Sequence, residues 1–130
     1  MTLPIPTPSG YQRRHDYRVE LLARRNRVTV RAGESVIADS TRTILVDEQD
    51  HALVFYIPAA DIATDALVVV PGESTYCPYK GQATYLALAT DPGRPVAWRY
   101  DDPFTQVAAI AGHVAFYHDR VNLTVGAAPN

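Results

Sequence analysis

The segment Arg27-Val28-Thr29-Val30-Arg31-Ala32-Gly33-Glu34-Ser35-Val36-Ile37-Ala38-Asp39 constrains this chain more than any other feature. Its apolar residues recur at every second position, the spacing that lines one face of a β-strand. Gly33-Glu34 suits a two-residue type II′ turn, whose first central position demands positive φ. The pattern predicts a hairpin with Arg31 opposite Val36 and Val30 opposite Ile37. Val28, Val30 and Ile37 should then point into the core. The same period predicts further strands over 17–23, 43–47, 52–57, 66–70, 82–90, 96–100, 114–117 and 121–125. One helical turn is expected after Pro58, over 59–62.

The strongest helix signal is a short one near 103–111. Asp102 can cap it, Pro103 suits its first position, and Gly112 can end it. Phe104, Val107, Ala108 and Ala111 would form its buried stripe. The fold class expected is therefore all-β and mainly antiparallel: a small barrel or tent of about eight to ten strands plus this one helix. Residues 1–16, proline-rich and then charged, read as an N-terminal arm. Residues 17–126 read as a single β domain.

Composition removes several function classes. A formal net charge of −2 offers no electrostatic footprint for nucleic acid. Arg24, Arg25 and Arg27 cluster, but as a solvated strand entrance. No apolar run approaches the ~20 residues that span a bilayer, so no membrane partner is expected. A single cysteine allows no intrachain disulfide and no multi-cysteine zinc site. It points to a reducing, cytoplasmic location. Asp47-Glu48-Gln49-Asp50 reads as a solvated loop without the glycine and final glutamate of a calcium loop. His113 and His118, five apart, do not share a face. No metal and no cofactor are expected.

Chemistry concentrates in Thr75-Tyr76-Cys77-Pro78-Tyr79-Lys80-Gly81-Gln82-Ala83-Thr84-Tyr85. Cys77 and Lys80 are the two candidates for a catalytic side chain. A nucleophilic cysteine needs a nearby cation or histidine, which Lys80 or one of His51, His113 and His118 could supply. The competing reading makes Cys77 a small buried hydrophobe and Lys80 a solvated residue on a tight turn. Tyrosine is abundant, eight against three phenylalanines, and its ring with a polar tip suits a ligand pocket. Alternation places Ala83, Tyr85, Ala87 and Ala89 on one face. The small alanines leave room beside Tyr85, either for a ligand or for the stripe beginning at Phe104.

Cys77-Pro78-Tyr79-Lys80-Gly81 also carries a resemblance. With it go Ala38-Asp39-Ser40 and Arg42, Tyr56-Ile57-Pro58, Ala97-Trp98, Tyr100, Asp102-Pro103, Ala109-Ile110-Ala111-Gly112 and Val114-Ala115-Phe116-Tyr117. In this order they resemble the domain of unknown function 427 family over roughly residues 17–122. The resemblance implies an all-β fold akin to the Mss4-like or β-tent architecture. It also brings a nucleotidyltransferase-like label, although the Gly-Ser loop and paired carboxylates of such enzymes are missing here. The family's histidine before the cysteine is Tyr76 in this chain, and its glutamate after the glycine is Gln82.

The resemblance and the residue chemistry together imply a ligand-binding pocket of Arg42, Tyr56, Tyr79, Lys80 and Trp98. Arg42 and Lys80 would meet an anionic group, and Tyr56 and Trp98 would wall it. The leading expectation is a domain that binds a small polar or anionic molecule, with or without an enzymatic reaction. The alternatives are a nucleotidyltransferase-like enzyme and a non-enzymatic module that homo-oligomerises through an edge strand.

Overall fold

The computed structural model describes Gly10, Arg14 and residues 16–129, so the expected arm over 1–16 lies largely outside the described residues. Ten strands form among them: β1 (Val19–Arg24), β2 (Val28–Ala32), β3 (Ser35–Ser40), β4 (Thr43–Glu48), β5 (Val54–Pro58), β6 (Leu67–Cys77), β7 (Gly81–Leu88), β8 (Pro95–Tyr100), β9 (His113–Phe116) and β10 (Asn122–Val125). One sheet has the order β1-β4-β5-β9-β8-β7-β6 and the other β10-β2-β3. The strand pairings are antiparallel. The all-β, mainly antiparallel class expected from the period-two pattern is the one observed.

Alternation divides the apolar side chains between two cores. Val28, Val30 and Ile37 of the small sheet pack against Ile57, Leu86 and Phe116 of the large one. Fully burying side chains of this kind contributes roughly 1.5–3 kcal/mol each. The neighbours of those residues point the other way: Tyr56 beside Ile57, and Ala115 beside Phe116, join Val46, Ala83 and Tyr100 in a second cluster. The large sheet is thus apolar on both faces. Its second face carries the candidate site.

The large sheet also curls strongly. In a flat sheet, the four spacings from β4 to β7 would span ~19 Å. Here Glu48 at the end of β4 bonds to Lys80 in the β6–β7 turn. The expected barrel is not formed, however. β1 and β6 remain the two edges of the large sheet, and the sheets are not closed.

Two local expectations are corrected. The hairpin forms with Gly33 at φ +59 and Arg31 opposite Val36, but Val30 faces Ala38 rather than Ile37. An extra residue bulges at this point, which lets Ile37 and Ala38 both be buried. The helix expected over 103–111 is instead a 3-10 segment, Thr105–Ile110, broken at Val107 (φ −125, ψ 26). Asp102 does not cap it; Phe104 occupies the cap position, with no side-chain cap bond. Phe104 N–H donates instead to Lys80 O at 3.0 Å, tying the segment to the β6–β7 turn. Three residues per 3-10 turn put Val107 and Ile110 on one side. These two are buried, while Ala108 and Ala111 of the expected stripe are exposed. The turn expected after Pro58 forms as a 3-10 turn, Ala59–Asp61.

Candidate functional site

β4 places its buried residues by simple alternation. Ile44 and Val46 face the second core, and Glu48 continues the same row. Glu48 is therefore not part of a solvated loop; only 6% of it is exposed. Its partner is Lys80, which is 7% exposed rather than solvated on its turn. Lys80 Nζ donates to Glu48 Oε1, and Tyr17 Oη donates to Glu48 Oε2. His51 Nε2 lies 3.6 Å from Oε2. Asp50 adopts φ +65, a left-handed conformation that aspartate tolerates better than most residues. The chain can then turn back, so that His51 N–H reaches Glu48 O at 3.1 Å.

The turn carrying Lys80 is shaped by its glycine. Cys77 and Gly81 pair as the last residues of β6 and the first of β7. Gly81 sits at φ +120, and a Cβ there would lie 3.3 Å from Asp102 O. The N-terminal segment braces the same turn from outside. Tyr17 stacks on Tyr79, with centroids 3.6 Å apart and planes at 9°. Gly10 N–H donates to Pro78 O, and a Cβ on Gly10 would come within 2.6 Å of the Tyr79 ring.

Opposite the ion pair, strand register lays out an aromatic wall. Tyr56 on β5 pairs with Ala115 on β9, Ala115 with Trp98 on β8, and Trp98 with Tyr85 on β7. Ala115 is too small to fill the space between Tyr56 and Trp98. Their rings meet edge-on over it, and Trp98 Nε1 donates to Tyr56 Oη at 3.2 Å. Tyr117 covers Trp98 at 4.7 Å, and the Arg120 guanidinium sits 4.3 Å above the Tyr117 ring. Between this wall and the Lys80–Glu48 pair lies a cavity of about 370 Å³, with His51 and Ala52 in its lining. That volume falls at the lower end of the ~300–1,000 Å³ typical of small-molecule pockets.

Electrostatics follow from burial and partnership. Burial alone would raise the Glu48 carboxyl, but the hydrogen bonds from Lys80 and Tyr17, with the charges of Lys80 and His51, hold it below its ordinary range. Burial raises the Tyr56 and Tyr100 phenols, so both stay protonated near neutral pH. Cys77 is half-buried in the cavity wall, its Sγ 3.9 Å from Lys80 Nζ.

The sequence profile of the family described as Domain of unknown function (DUF427) matches residues 20–126, most of the chain. The protein belongs to the DUF427 family. Among curated proteins, none is matched by this chain. No helix among the described residues is long and apolar enough to cross a membrane.

Of the site residues expected in this DUF427 domain, Tyr56, Lys80, Trp98 and Cys77 line one cavity. Arg42 does not join them. Its side chain is 63% exposed and bonds Asp61 through Nε at 2.9 Å and Nη2 at 3.0 Å. It precedes β4 whereas Glu48 ends it, so about 20 Å of strand separates the two. Tyr79 lies outside the cavity lining and stacks on Tyr17. Of the two uses expected for the room beside Tyr85, the packing is observed, since Ala83 joins Val107 and Ile110 in one cluster; Tyr85 itself lines the cavity.

Sequence reasoning missed Glu48 and Tyr17, whereas His51, expected as one possible neighbour of Cys77, lines the same cavity as that cysteine. For Glu48 the signal was present, since Ile44-x-Val46-x-Glu48 extends the apolar row by one step. Among the described residues, the carboxylates do not gather as the magnesium site of a nucleotidyltransferase-like label would require. Glu48 is committed to Lys80 and Tyr17, and no group of three His, Cys, Asp or Glu converges among the described residues.

Proposed function

We propose that this DUF427 domain binds a small ring-containing molecule in the cavity between the aromatic wall and the Lys80–Glu48 pair. The observation that carries this reading is a buried ion pair facing an aromatic-lined space. Such a pair is weak as a source of stability, because desolvating two charges offsets most of their attraction. Its placement in a cavity instead supports a role in orienting a ligand. Tyr85, Trp98 and Tyr117 offer surfaces on which a planar ring can pack. An anionic head group fits less well than a neutral one, because Glu48 already neutralises Lys80 and Arg42 lies elsewhere. The cavity beside Cys77 and Lys80 also favours ligand binding over a purely interacting module, which requires no cavity there. We place the protein in a reducing, cytoplasmic compartment on the strength of its single cysteine.

The test is an NMR titration of small ring compounds, followed at the indole N–H of Trp98, the only tryptophan in the chain. Ala52 is exposed and lines the cavity, so Ala52→Trp should obstruct the opening without disturbing the core. Compounds that shift Trp98 in the native protein should fail to do so in this variant. Absence of binding up to millimolar concentrations, or undiminished binding to the Ala52→Trp protein, would contradict the reading.

A further inference from the structure

Tyr100 is 7% exposed and lines the cavity, yet its hydroxyl has no hydrogen-bond partner among the described residues. Tyr56, 1% exposed, accepts a hydrogen bond from Trp98 but has no acceptor there for its own proton. Tyr100 lies two residues beyond Trp98 on β8, Trp98 bonds Tyr56, and both tyrosines belong to one buried cluster that lines the cavity. Thr43 carries the fully buried side-chain oxygen without a partner among the described residues, so the unbonded Tyr100 hydroxyl opens on the cavity and its donor is available to a ligand. Two protonated donors in one cavity therefore define a place for an oxygen acceptor.

We infer that Tyr56 and Tyr100 donate hydrogen bonds to the carbonyl oxygen of a neutral planar ring compound, such as an aryl ketone or amide. This rests on the reading of the cavity as a ligand site. Neutrality follows from the nearby charges. Glu48 is ionised and paired with Lys80, so a ligand carboxylate would meet a like charge whose neighbouring lysine is already engaged. A carbonyl needs only the donors. With its oxygen at the phenols, its ring would lie against Trp98 and Tyr85.

The probes are acetophenone, ethylbenzene, which has a methylene where acetophenone has its carbonyl, and benzoate. Each is titrated by NMR at Trp98 Nε1–H into the native protein, Tyr100→Phe and Tyr56→Phe. Phenylalanine keeps the ring, and thermal unfolding verifies that each variant remains folded. Acetophenone affinity should fall about tenfold in each variant, the size expected for one lost buried hydrogen bond, while ethylbenzene affinity stays unchanged. Benzoate should bind more weakly than acetophenone. Equal binding of acetophenone to the native and both variant proteins would overturn the donor assignment, although the cavity would still stand as a ligand site. Tighter binding of benzoate would overturn the neutral-ligand assignment. If none of the three probes shifts Trp98, the inference fails together with the reading on which it rests.

Discussion

Glu48 closes β4 and Lys80 sits in the β6–β7 turn, and their side chains form a buried ion pair across the curled sheet. Tyr17 bonds the second oxygen of the same carboxylate and stacks on Tyr79. One side of the cavity is thus fastened by residues from three distant parts of the chain.

Breaking this pair on one side should be costly. Lys80→Met strands an ionised Glu48 in a buried site, and unfolding in urea should show a loss of about 3 kcal/mol. Combining Lys80→Met with Glu48→Gln removes both charges and should recover most of that loss. If the double variant is as unstable as the single one, packing rather than charge explains the effect.

Acid should weaken the protein through Glu48. Its folded-state pKa lies below the unfolded carboxylate value of about 4.3. The group's contribution is therefore complete above that value and lost as pH falls through the lowered folded pKa. Urea midpoints measured from pH 2 to 7 should fall more steeply on acidification in the native protein than in Glu48→Gln. Parallel curves would show that Glu48 titrates alike in both states.

The N-terminal brace is sensitive to one methyl group. Gly10→Ala would place Cβ 2.6 Å from Cε1 of Tyr79, a ring already stacked on Tyr17. Overpacking of this kind typically costs about 1–3 kcal/mol. Thermal unfolding should register a loss at the lower end of that range. An unchanged midpoint would mean that Gly10 moves away at no cost.

Thr43 should respond in the opposite direction. Its hydroxyl is the buried side-chain polar atom without a hydrogen-bond partner among the described residues. Thr43→Val keeps the shape and removes the unsatisfied group, so stability should stay the same or rise by about 1 kcal/mol. A clear loss in denaturant unfolding would reveal a partner for that hydroxyl.

Arg42→Ala should leave the cavity untouched. The Arg42–Asp61 pair is solvent-exposed on the arginine side, where an ion pair adds little. Ring compounds that bind the native protein should bind this variant with equal affinity. A loss of binding would return Arg42 to the site.

Much of the architecture could be read from the sequence because a strand's period of two is a local property. The turn at Gly33 and the core positions Val28, Val30 and Ile37 needed no knowledge of distant residues. The bulge at Ile37 was hidden, since an extra residue on one strand shows only against its partner. The helix near 103–111 carried good local signals at Asp102, Pro103 and Gly112. A tertiary bond from Phe104 N–H to Lys80 O fixes its start instead, and Val107 breaks it into 3-10 turns.

The site divides along the same line. The sequence by itself determined which residues share a face: Ile44, Val46 and Glu48 along β4, and Ala83 with Tyr85 along β7. It could also mark Tyr56, Lys80 and Trp98 as chemically useful. Only the tertiary structure decided which faces meet. Strand order and sheet curl bring Lys80 to Glu48 and leave Arg42 at the far end of β4. Alternation is enforced by each residue's own backbone geometry. Long-range pairing instead depends on the twist of seven strands together, and no segment of the chain carries that information alone.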